Sequence, residues 1–185
     1  MRLAFFTPLN PLPSGISDYG EALLDHLAPL AEQIDVFIED YSPSKKFTAP
    51  NLRVRHWREF EPEHEQGRYD TIVYQIGNNP YHVYIHDLAV RIPGVLILHE
   101  FNLHYLLSDC TIKRGDWEGY LEEVYYNGGI GAMEHARRAR QGLTQPDFNG
   151  LPMNRRLLER SQAAVVHSQF MVDLVGKTEI GRAHV

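Results

Sequence analysis

A chain of 185 residues that is 43% hydrophobic, 23% charged and 11% aromatic has the size and make-up of one α/β domain. Ordinary apolar content with charges of both signs excludes a disordered tail or a collagen-like repeat. A formal charge of −6 without a basic block excludes a protein that coats duplex nucleic acid, since neutralising phosphates takes clustered Lys and Arg.

The single cysteine, Cys110, cannot close an internal disulfide, which suits a reducing compartment. The greasiest stretch, Val95 to Leu107, is broken by His99, Glu100, Asn102 and His104. The apolar run near the N-terminus is too short for a signal peptide. The expectation is a soluble, cytoplasmic chain.

In chain order, Leu3–Phe6 is a first apolar run. Asp18 with Glu21 three residues on resembles a capping box, after which Tyr19, Leu23, Leu27 and Leu30 line one helix face. Val36–Ile38 is a second strand, Tyr41–Pro50 a Ser/Pro/Lys loop, and Leu52–Val54 a short strand with Arg53 and Arg55 facing outward. An acidic, His-containing stretch spans Glu59–Gln66. Ile72–Ile76 is another strand, and Asn79-Pro80 opens a helix carrying Tyr81, Tyr84, Ile85, Leu88 and Ile92 at helical spacing. Val95–Leu98 follows as a strand. Thr111 to about Arg138 reads as helix interrupted by Gly128-Gly129 and Gly131, and Gln141–Pro152 as a polar loop or lid. Ala163–Val166 is the last strand.

Near-continuous apolar runs are what parallel strands buried on both faces look like. Alternating with helical patterns, they predict an α/β fold with a Rossmann-like, doubly wound, mostly parallel sheet. Residues 1–178 form that domain. The tail 179–185 resembles one reading frame of a common sequencing adapter and is set aside from fold reasoning. On that reading the chain is a gene fragment whose continuation is missing.

Ligands of open α/β sheets bind beyond the carboxyl ends of the strands. That rule selects the loop from Thr7 to Tyr19, the segment Gly77 to His82, His99 to His104, and His167-Ser168. Gly15, just ahead of a helix, offers backbone N–H groups to an anion such as a diphosphate, though a plain turn and cap explains it equally. His99 at a strand end can act on a substrate hydroxyl or a developing charge, or be a half-buried histidine satisfied by backbone. Glu100 either orients His99 or caps the next helix. Asn78 and Asn79 can donate to sugar or phosphate oxygens, and Asn79 can equally be only an N-cap. His82 and His86 have metal-ligand spacing, but no H-E-x-x-H accompanies them and Cys110 has no second cysteine, so no metal site is expected. His104, His26, His56 and His64 are expected at the surface or boundary. Tyr125-Tyr126 and Phe101/Tyr105 are expected in core packing or lid contacts.

Four of these segments resemble motifs of family-4 glycosyltransferases, in family order. They are Pro11-Leu12-Pro13-Ser14-Gly15-Ile16-Ser17-Asp18-Tyr19, Tyr74-Gln75-Ile76-Gly77-Asn78-Asn79-Pro80-Tyr81-His82, Pro93-Gly94-Val95-Leu96-Ile97-Leu98-His99-Glu100 and Val165-Val166-His167-Ser168. The resemblance implies the N-terminal, acceptor-side half of a two-domain GT-B architecture. It implies retaining transfer of a sugar from a nucleotide-sugar donor to a glycan, lipid-linked or small-molecule acceptor, with no metal or other cofactor and no nucleic-acid partner. Gly15 and Ile16 would abut the donor diphosphate, His99 would lie near the transferred sugar as the catalytic residue, and Asp18, Asn78, Asn79 and Glu100 would serve binding. Glu100 stands where the family usually has Asp. The nucleotide would be held chiefly by a second domain, so the fragment alone is expected to be inactive. The alternative is a non-catalytic Rossmann-like module that binds a nucleotide or glycan.

Overall fold

The structure is a computed structural model that describes residues 1–177 and the strand pairing of Ala183–His184. The rest of the adapter-like tail lies outside the described residues.

In chain order the elements are β1 (Arg2–Phe6), α1 (Gly15–Leu27), β2 (Gln33–Ile38), β3 (Leu52–His56), α2 (Phe60–Glu65), β4 (Thr71–Ile76) and α3 (Val83–Ala89). They continue with β5 (Val95–Leu98), α4 (His104–Cys110), α5 (Trp117–Arg140), α6 (Arg155–Arg160), β6 (Ala163–Val166), α7 (Gln169–Lys177) and the two-residue β7 (Ala183–His184). The strands pair in the order β3-β2-β1-β4-β5-β6-β7, every pair parallel. The fold is therefore Rossmann-like, and the chain reverses its direction of travel across the sheet between β1 and β4.

Alternation along each strand splits the apolar residues between two cores. Ala4 and Phe6 join Phe37, Tyr74, Leu96 and Leu98 on the face covered by α2 to α6, where Phe6 packs against Phe37, Phe60 and Tyr74. Leu3 and Phe5 join Ile34, Val36, Ile38 and Ile97 on the opposite face, against Leu24 and Ala28 of α1 and the chain that follows it.

The bounds of β5 and β6 agree with the apolar runs. Five other expectations need correction. α1 begins at Gly15 under a Ser14 cap, whose Oγ accepts from Ile16 N at 3.2 Å, so Asp18 and Glu21 lie inside the helix. The pair clamps the preceding loop instead: Asn10 Nδ2 donates to Asp18 and Asn10 N to Glu21. The buried stripe of α1 is Ile16, Ser17, Gly20 and Leu24, rotated from the expected face, and leaves Tyr19 and Leu30 exposed.

Arg55 does not face solvent. β2 begins at Gln33 and carries a fully buried Asp35, which accepts from Arg53, Arg55, Tyr69 and Gln33. Arg55 also bonds Glu59 and Glu63 of the helical 57–65 segment, so the acidic stretch folds as the wall of an ion network. The expected helix from Thr111 starts only at Trp117, capped by Asp116, and it bends at Gly129, whose φ of 71° suits glycine. Last, Tyr125 is exposed and contributes nothing to the core.

Candidate functional site at the carboxyl edge of the sheet

Beyond the carboxyl ends of β1, β4, β5 and β6, side chains from four segments come together. His99 prolongs β5, its N–H donating to Ile76 O at 2.9 Å. Its ring packs against Tyr19 of α1, centroids 5.0 Å apart, and against His167 after β6, 4.6 Å apart. Tyr19 and His167 also meet, edge to face at 5.2 Å. From β4 comes Gln75, fully buried, whose Oε1 lies 3.1 Å from His99 Nε2. With the Gln75 amide oxygen facing Nε2, the proton is assigned to that nitrogen and Nδ1 is the acceptor of the ring. Burial first, then the nearby His167 and His82, lowers the pKa of His99 to about 4. The ring is neutral at physiological pH.

Beneath this cluster lies His82, whose Nδ1 faces Gln75 O at 3.0 Å, which assigns its proton there. Burial lowers its pKa to about 4 as well. Gly77 permits this packing. A Cβ there would run into Ile16 Cδ1 and stand 3.1 Å from His82 Nε2, so α1 and the β4 loop meet only across a glycine. Gln75 Nε2, His82 Nε2 and Ser17 Oγ are buried here without a protein partner. Buried polar atoms of this kind are where ordered water commonly sits.

Both histidines remain neutral in the fold down to about pH 4, whereas in the unfolded chain they take up protons near 6.5. The folded chain therefore binds fewer protons across that window, and its stability falls as pH drops from about 6.5 towards 4. Thermal melts over that range will show a midpoint that declines with acid.

Each predicted site residue has a definite place. Gly15 is exposed at the start of α1, with no atom within 4 Å of where a side chain would begin. The Ile16 side chain is buried and its N–H is engaged by the Ser14 cap, so it does not offer the free donor expected of it. Asp18 bonds the loop through Asn10. Asn78 Oδ1 accepts from Leu106 N and its own N–H donates to Glu100 Oε1, so Asn78 and Glu100 tie the β4 and β5 loops and α4 together. Glu100 thus neither orients His99 nor caps α4; Asn102 does the capping, accepting from His104 N. Asn79 is an N-cap, accepting from Tyr81 N ahead of Pro80. Ser168 Oγ likewise accepts from Met171 N at the start of α7.

Tyr19, Gln75 and His167 join the site without having been given a role in it: Tyr19 and His167 lay in selected segments and Gln75 in a family-like motif, but Tyr19 was expected on the packed face of α1. His104, expected near the surface, is buried with its ring nitrogens on Leu151 O and Tyr120 OH. Together with Asn102 Nδ2 donating to Phe148 O and the stacking of Tyr105 on Phe148, it fastens Gln141–Pro152 over α4. An apolar cavity of about 140 Å³ lies under that segment, walled by Trp117, Tyr120, Val124 and Phe148. Among the described residues, no helix is long and apolar enough to cross a membrane.

No protein-family model, no curated protein and no solved structure matches this chain. The family likeness of the four loops therefore stands on their residues alone.

Proposed function

We propose that this chain is the acceptor-side domain of a retaining glycosyltransferase that moves a sugar from a nucleotide-sugar donor to an acceptor hydroxyl. The observation that carries the reading is the meeting of Tyr19 from the first turns of α1 with His99 and His167 from the ends of β5 and β6, close to the exposed start of α1. Those are segments that bear the family-like motifs.

Transfer breaks the bond from the anomeric carbon to the diphosphate oxygen, which leaves with the electron pair. A new bond forms from that carbon to the acceptor oxygen, whose proton must go to a base. The start of α1 presents the Gly15 N–H and the positive end of the helix dipole to the leaving diphosphate, the next two N–H groups being held by Ser14. His99 supplies a neutral ring whose Nε2 is tied to Gln75 and whose Nδ1 can accept from a sugar hydroxyl. Gln75 and Tyr19 fix the plane of that ring.

The groups gathered here are neutral or acidic, so the start of α1 holds a diphosphate weakly by itself, and cations of a second domain would strengthen that hold. The test is to express the uninterrupted reading frame past Thr178 and measure sugar transfer with and without His99→Ala. Transfer lost in the variant supports the reading. Wild-type transfer in His99→Ala removes His99 from the reaction, and an absence of transfer with any nucleotide sugar favours a binding module.

A further inference from the structure

One turn along α3 from His82, three possible metal ligands converge where α3 meets the end of α4. His86 Nδ1 lies 3.6 Å from Cys110 Sγ and 3.9 Å from Asp87 Oδ1. The three ligand atoms all fall within 4.8 Å of one another. We propose that His86, Cys110 and Asp87 bind one borderline-soft divalent transition-metal ion of the zinc class, with a fourth position left to water or an external donor.

The spacing suits such an ion. Zinc–nitrogen and zinc–sulfur bonds of about 2.0 and 2.3 Å set a nitrogen–sulfur separation of about 3.5 Å in a tetrahedron. The observed 3.6 Å already matches. The Asp87 oxygen, 3.9 Å from His86 Nδ1, stands about half an ångström beyond that spacing, so its half-exposed carboxylate must turn from Arg114 to close the site. The donor set is also selective. A thiolate and an imidazole favour zinc, cobalt or copper over magnesium or calcium.

The surroundings are mixed in sign. Arg114 holds the other Asp87 oxygen, Oδ2, at 2.8 Å and competes for the carboxylate, while Asp109 is tied up by Lys113. With no cation present, burial and the charge of Asp87 push the Cys110 thiol up to about 12, and a bound ion reverses that cost by taking the thiolate directly. The site uses neither His82 nor any residue of the candidate transfer site. It stands or falls apart from the proposed activity.

Cobalt(II) is the probe, because a cobalt–thiolate bond has a charge-transfer absorption that nitrogen and oxygen ligands lack. Cys110 is the only cysteine in the chain, so that band can arise from no other residue. The expected result is one cobalt per chain with a thiolate band that zinc displaces. Cys110→Ser and His86→Asn should each lose the band and weaken binding by more than the roughly 10–100-fold that loss of an outer-shell partner costs. Arg114→Ala should tighten binding several-fold by releasing Asp87. Cobalt bound without a thiolate band, a band that survives in a folded His86→Asn chain, or no stoichiometric uptake by the wild-type protein overturns the proposal.

Discussion

Arg55→Ala is expected to destabilise the chain by about 3–5 kcal/mol at neutral pH, the usual cost of removing one partner from a buried ion pair. Arg55 reaches three carboxylates, those of Asp35, Glu59 and Glu63. Asp35 is fully buried, while Arg53, its other cation, is half exposed. Alanine leaves these like charges facing one another around a cavity. In a domain of this size each kcal/mol moves the midpoint by roughly 2–4 °C, so a drop of about 6–20 °C is expected in thermal melts.

The pH dependence of that loss has a definite sign. The hydrogen bond from Arg55 is the main cause that holds the Glu63 carboxyl down at about 2, against an ordinary 4.5. A depressed carboxyl contributes stability above its unfolded pKa and loses it as pH falls through the folded value. The wild-type chain therefore loses this contribution between about pH 4.5 and 2. The variant has already lost it, and the two melting curves will approach each other in acid.

His99→Ala carries the largest expected effect on activity, a loss of about 10²–10⁴-fold in kcat, the range for removing a positioned acid–base group. The ring has two distinct attachments. Its Nε2 lies on Gln75 Oε1, and its ring packs against Tyr19 and His167. Alanine removes the Nδ1 acceptor together with that packing, so kcat and KM must be read apart. A fall confined to kcat places His99 at the reacting centre. A rise confined to KM makes it a wall of the acceptor site. Because burial lowers the His99 pKa to about 4, the histidine-dependent part of the rate should be flat above about pH 5 and fall only below it.

How much of this was legible depends on whether the deciding interaction is local. β5 is bounded by Pro93-Gly94 and His99, and β6 by the polar Gln162 and His167, so their ends stand in the sequence. β2 was seen only from Val36, because a carboxylate reads as a strand breaker. Asp35 is tolerated by arginines from the neighbouring strand, which no local pattern shows. The rotation of α1 was missed because Leu23 and Leu27 only flank the buried stripe and Leu30 is exposed, while Gly20 and Leu24 form its centre. That rotation is also what carries Tyr19 to His99. The convergence of loops follows from the parallel topology and was predictable. The bonds that engage Asn78 and Glu100 within the fold were not, since they join segments set by tertiary packing, whereas the Ser14 cap that engages Ile16 is local.

The most direct measurement is a titration of the isotopically labelled 185-residue chain with inorganic pyrophosphate, followed by amide chemical shifts. A diphosphate seated at the carboxyl edge of the sheet will move Gly15 and its neighbours in the first turn of α1 most, together with Asn78 and His99. Shifts confined to surface cations such as Lys45, Lys46 and Arg53, or no shift at all, would contradict a diphosphate site at that edge.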